Sequence, residues 1–322
     1  MADPLDPVYS AALSADMAQG LALLATIPAS SLDARQRAAA DAMRARFGAS
    51  EPPMSGDLPS QSRALLGAYQ RYWRQAMLKR SPIAAAEGEL LAALNRILAA
   101  AHPDLDVATA AAKAAIESEG LHALTGMTLP LHELMIWKRN APTTYHVALP
   151  EQDIDVAVVF LDDFVSLGWA AFATAERSHT GGWATAEALY AVRSAYDVDG
   201  ESFRVSYLAH EGQHCADNRR FPQLAQPELE YRAKLTELAC ADATAHALLR
   251  RFAARIGTDR GIPHPFAHHW LVRHMTDALG AAPDWASVPV QRINDAARDL
   301  LVASSRALEA RGAATVERWL GE

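Results

Sequence analysis

Along the first third of the chain, apolar positions recur every three to four residues, the period of a helix with one buried face. The spacing predicts helices over 8–27, 32–47, 58–79, 84–101 and 106–120. Breaks fall at Glu51-Pro-Pro-Met-Ser-Gly56, Ser81-Pro82 and His102-Pro103. The rhythm then changes. Leu134-Met-Ile-Trp-Lys138, Thr143-Thr-Tyr-His-Val-Ala-Leu149 and Ile154-Asp-Val-Ala-Val-Val-Phe-Leu161 are β-branched or aromatic-rich runs, with Asn140-Ala-Pro142 and Pro150-Glu-Gln-Asp153 as turns between them. Thr180-Gly-Gly-Trp-Ala-Thr185 and Ala188-Leu-Tyr-Ala-Val192 suggest a last strand pair. A proline-free helix over 201–217 follows, then a turn-rich stretch, a second helix over 228–242, and helices near 265–279, 288–311 and 313–320. The pattern predicts a mostly helical α+β fold. A helical N-terminal subdomain, 1–127, precedes a domain over 128–322 in which a small twisted sheet leads into two paired helices and a helical C-terminal cap.

Chemistry concentrates in His210-Glu211-Gly212-Gln213-His214. Residues four apart lie one turn apart on the same helix face, so both imidazoles can aim a ring nitrogen at one ion. Glu211 points about 100° around the helix and can reach a water beside that ion without ligating it. This is the HExxH pattern of zinc metallopeptidases. Gly212 costs roughly 1 kcal/mol against alanine inside a helix, which implies that something packs close against it.

A catalytic zinc takes three protein ligands and leaves one position open. The helix opening at Glu228, with Pro227 near its first position, puts Glu230, Ala233, Glu237, Cys240, Ala241 and Thr244 on one face. Two helices joined by about ten residues tend to pack antiparallel. That sets Glu230 near His214 and Glu237 near His210. Glu230 is then the expected third ligand and Glu237 the group that holds a histidine ring N–H, with the reverse assignment as the alternative. Glu228 reads as a solvated surface residue.

HEGQH followed by Glu230-Tyr-Arg-Ala233 resembles the gluzincin branch of the zincin metallopeptidases and is similar to its uncharacterised bacterial members. The resemblance spans about residues 130–250. It implies one Zn2+ per chain, held by His210, His214 and Glu230, and a peptide or protein substrate hydrolysed with Glu211 as general base. Where the branch usually has an acid four positions after its ligand Glu, this chain has Lys234. The resemblance also implies a Tyr or His that stabilises the oxyanion; Tyr231 is the first candidate, and His264, His268, His269 and His274 are the others. The alternative function is a non-proteolytic, metal-binding sensor or regulator.

Composition narrows the partners. Net charge is −8 over 322 residues with the basic residues scattered, which argues against nucleic-acid binding. No apolar run reaches the roughly eighteen residues of a membrane span. Asp3, Asp6 and Asp16 precede the apolar run 20–28 where a secretory signal would carry positive charge. A cytoplasmic location is expected if Met1 is native, and a periplasmic or secreted one if a signal peptide has been removed. The two cysteines, Cys215 and Cys240, read as buried thiols.

Overall fold

A computed structural model describes residues 3–48, 58–185, 188–280 and 285–321, so the break expected at 51–56 lies outside the described residues. The architecture is α+β and mostly helical, with one small sheet. In chain order the elements are α1 (Asp6–Leu13), α2 (Met17–Thr26), α3 (Ala34–Gly48), α4 (Ser60–Met77), α5 (Ile83–Leu98) and α6 (Leu105–Ser118). Next come β1 (His122–Thr128), β2 (Leu131–Ala148), β3 (Asp153–Leu167), α7 (Trp169–Ala173), β4 (Gly182–Ala184) and β5 (Leu189–Val192). A short α8 (Glu201–Phe203), a π-helical turn (Arg204–Ala209), α9 (His210–Arg220), α10 (Gln226–Cys240), α11 (Ala245–Ala253), α12 (Pro263–Leu279) and α13 (Val290–Ala310) complete the chain.

Strand order in the sheet is β1-β2-β3-β5-β4. The chain packs as two units, Met1–Ala141 with Leu161–Gly181, and Pro142–Phe160 with Gly182–Glu322. The division falls inside β2 and β3 and not at residue 127, because each of these long strands contributes residues to both units. Asn140-Ala-Pro142, expected as a turn, is part of the continuous β2. Three further expectations differ. The helix over 8–27 is broken after Leu13, where Ala15 takes φ 54° and Asp16 caps α2 by accepting from the Gln19 N–H. The stretch 313–320 forms turns instead of a helix, after Gly312 at φ 100° ends the preceding run. β1 also forms, paired antiparallel with β2 from His122↔Trp137 to Thr128↔Leu131.

In the first unit, α4 is the spine. Leu65, Tyr69, Tyr72 and Trp73 are buried along it, and the Trp73 indole N–H donates to the His132 carbonyl at 2.8 Å. Next to His132 on β2, Glu133 is only 7% exposed and accepts from the N–H groups of Trp169 and Leu134. A Cβ on Gly168 would lie 2.2 Å from its Oε1, and Gly168 has φ 94°, so only glycine fits there. Burial, partly offset by those hydrogen bonds and one from Thr128, pushes the Glu133 carboxyl up from 4.5 to about 7. The folded chain therefore holds a proton that the unfolded chain releases. This stabilisation is fully present below the unfolded value and is lost as pH rises through the folded one. Wild-type stability should fall by up to about 3 kcal/mol from roughly pH 5 to 8, and Glu133→Gln should flatten that slope. Urea unfolding at several pH values checks this; an equal slope in both proteins contradicts it.

In the second unit, α10 packs against α9, α12 and α13, and its residues from Pro227 to Ala239 are all buried. A helix buried all round must pair its charges internally. Arg232 meets Asp217, Glu237 meets His210 and Arg251, and Glu230 meets Lys234. Glu228, expected in solvent, is 1% exposed and pairs with Arg260 while accepting from the Trp319 N–H. Period-two burial along Ile154, Val156, Val158 and Phe160 turns one face of β3 inward. Ile154, Val156 and Leu149 lie 3.4–3.6 Å from where a Cβ on Gly212 would be, so the site helix sits directly on these side chains. That is ordinary contact for a methyl group; larger side chains would have to push the strand residues aside.

Candidate metal centre

The pairs His214 with Glu230, Gln213 with Thr236 and His210 with Glu237 run in opposite senses along α9 and α10, so the two helices are antiparallel. His210, His214 and Glu230 come together, with one ligand atom from each lying within 4.8 Å of the others. The Nε2 atoms of the two histidines face each other at 3.1 Å. Glu230 Oε1 lies 3.6 Å from His214 Nε2, and Oε2 lies 3.7 Å from His210 Nε2.

The donor chemistry fits a divalent ion. His210 Nδ1 lies 2.8 Å from Glu237 Oε1 and donates to it, because an ionised carboxylate only accepts. That fixes the tautomer, leaving a lone pair on His210 Nε2. The two ring nitrogens at 3.1 Å can share a proton in a hydrogen bond, or both can turn their lone pairs to one cation beside the carboxylate. Three ligands of this type match a zinc-type set with room for a fourth.

The electrostatics run the same way. Burial alone would raise the Glu230 carboxyl, but the neighbouring His214 and His264 rings and the Lys234 ammonium outweigh it and hold it far below the usual range. Burial would pull the His214 imidazole down; Glu230, with Glu211 and Asp217 behind it, leaves it above the ordinary histidine value. Glu237 is likewise held low despite burial, chiefly by His210. The Glu230 carboxylate therefore stays ionised, the form that metal binding requires.

Around this group, Lys234 Nζ stands 3.1 Å from Glu230 Oε2 while being almost wholly buried. It lies four residues after Glu230 on the same helix face, and its ammonium pairs with that carboxylate. Arg251 Nη2 lies 3.1 Å from Glu237 Oε2, closing the chain His210-Glu237-Arg251. Nothing in the spacing pointed to Arg251, because α11 was not predicted. Glu211 is half-buried, one position on from His210, and its carboxylate forms no hydrogen bond or ion pair among the described residues.

Of the oxyanion candidates, Tyr231 is fully buried, its hydroxyl 2.8 Å from His274 Nδ1 and its ring against Trp319, so it is not available to a substrate. Its side chain leaves α10 about 100° around from Glu230, which explains why sequence adjacency misleads. His274 is occupied by that contact. His268 stacks on Phe252 at 4.9 Å and bonds the Arg255 carbonyl, and burial brings it down to about 4. His269 sits edge-on to Trp270. Only His264 reaches the group, with Nδ1 2.8 Å from Glu230 Oε2 and most of its side chain exposed. Cys215 and Cys240 are free, half-buried thiols. Comparison with protein-family models, with curated protein sequences and with solved structures returns no match, so the centre is read from its own geometry.

Proposed function

We propose that this chain is a zinc-dependent peptidase whose hydrolytic site is built on His210, His214 and Glu230. One observation carries the reading: two imidazole Nε2 atoms and a carboxylate converge within 4.8 Å on a helix pair, with an unbonded carboxylate, Glu211, next to the first imidazole. Bound there, a zinc ion supplies a more acidic water and polarises a carbonyl oxygen. The protein's own groups do the rest. Glu211 accepts the water proton and can return it to the leaving amine, the work of a general base that turns general acid. Glu237 keeps the Nδ1 proton of His210, so that Nε2 stays a ligand, and Arg251 keeps Glu237 in place. Lys234 and His264 hold Oε2 of Glu230.

Zinc is favoured by the His, His, carboxylate set, and a peptide substrate by the HExxH pattern with its base. No helix among the described residues is long and apolar enough to cross a membrane. A mixed peptide library incubated with zinc-loaded protein tests the proposal, with mass spectrometry to find the products. Cleavage that stops on chelation and returns with zinc is expected. A library left intact by zinc-loaded, folded protein contradicts it.

A further inference from the structure

A lysine ammonium seldom enters a protein interior, because taking it out of water is costly unless a carboxylate meets it there. Lys234, midway along α10, is 5% exposed. Its Nζ lies 3.1 Å from Glu230 Oε2, one turn back along the helix, and 5.5 Å from the centre of the Phe252 ring, whose π face attracts a cation. Phe252 is itself buried, with His268 stacked on it, so it is a fixed support. The same ring carries a second cation. Arg251, its neighbour on α11, has the guanidinium carbon 5.4 Å from the ring centre and Nη2 3.1 Å from Glu237 Oε2.

Each buried carboxylate of the group therefore has its own counter-charge, Lys234 for Glu230 and Arg251 for Glu237. These four charges cancel, so a divalent ion brings two positive charges to a set that is already neutral. At Glu230 the competition is direct. Oε2 is buried and accepts no hydrogen bond among the described residues, so it keeps lone pairs for an ion. The ammonium nevertheless stands within ion-pair distance of that atom. An ion on this carboxylate shares it with Lys234 and bears the repulsion of the ammonium, whereas a neutral residue at 234 would leave the whole charge of Glu230 to the ion.

Resting on the metal centre proposed above, we infer that Lys234 is a positioning residue that loosens the hold of His210, His214 and Glu230 on a divalent ion, so that the ion exchanges with its surroundings. It acts through Glu230 and touches no substrate. The level of free zinc then sets how much of the protein is loaded. Two charges against one, a few ångströms apart, amount to about tenfold or more in affinity even with water-like screening. A lysine that served only to hold the fold together would leave the opposite signature, since its loss would disorder Glu230 and weaken the binding of the ion. Loosening predicts a gain.

The test measures zinc affinity of the full chain by competition with a chromophoric chelator, with melting temperature to confirm folding. Lys234→Met keeps the length of the side chain and its contact with Phe252 but removes the charge. It should bind zinc at least about tenfold more tightly than the wild type and release it more slowly to excess chelator. Lys234→Gln, which leaves a polar end beside Glu230 where methionine packs poorly, should tighten binding in the same sense. Lys79→Met, which removes one positive charge from an exposed pair with Asp16, should bind zinc as the wild type does. Equal or weaker zinc binding by a folded Lys234 variant overturns the inference, as does equal tightening by Lys79→Met. If the wild type binds zinc and the Lys234 variants only match it, this inference alone fails; if folded wild type takes up no zinc, the metal centre fails with it.

Discussion

Glu211→Gln is expected to lower kcat/KM by about a thousandfold or more while metal content stays at the wild-type level. The substitution keeps side-chain volume and removes only the ability to take a proton. General-base catalysis alone contributes about a hundredfold to ten-thousandfold, and in the proposed mechanism the same carboxylate serves twice, first as base and then as acid. Structural damage should be small, because Glu211 is half-buried and no hydrogen bond or ion pair among the described residues depends on its charge. Activity retained in a variant that still holds metal would show that another group moves the proton. A wild type with metal and no turnover would favour a sensor or regulatory site.

The largest expected loss of stability comes from Arg232. Its guanidinium donates to both oxygens of Asp217, at 2.9 Å each, and also to Ser304, while both charged partners are 1% exposed. Gln213 donates to Asp217 and accepts from Thr236, so the network ties α9 to α10 and α13. Glu151, 3.5 Å from Arg232, joins it from the turn between β2 and β3. Arg232→Ala strands the Asp217 carboxylate in the interior, which should cost about 3–5 kcal/mol by urea unfolding. Removing both charges, with Arg232→Met and Asp217→Leu together, should recover much of that, because a buried pair can be replaced by packing while a lone buried charge is penalised in full. Equal losses in the single and double variants would contradict this account. His214 is one turn before Asp217 on α9, so the network also fixes the pitch of the helix that carries His210 and His214.

The His210, His214, Glu230 and Glu237 cluster was legible because its relations are local. A four-residue spacing fixes His210 and His214 on one face, and helix polarity orders Glu230 and Glu237 against them. Helical and strand periodicity likewise marked most of the elements. What was not legible depends on groups distant in sequence. Arg251 reaches Glu237 from α11, whose 9 residues are too few for helical periodicity to stand out in the sequence. Arg232 looked like one more charge on a helix, because nothing in α10 announces that it is buried all round. Tyr231 is adjacent to Glu230 in sequence, and adjacency on a helix turns a side chain to another face, here toward His274. The π-helical turn before His210 leaves no compositional mark, since Arg204-Val-Ser-Tyr-Leu-Ala209 suits an α-helix as well.

The central claim is that His210, His214 and Glu230 hold one metal ion. Elemental analysis of protein purified without chelator or added metal, beside His214→Ala, tests it most directly. The account predicts about one zinc per wild-type chain and almost none in the variant, with both proteins folded. Folded wild type that carries no metal and takes up no zinc on titration would contradict it.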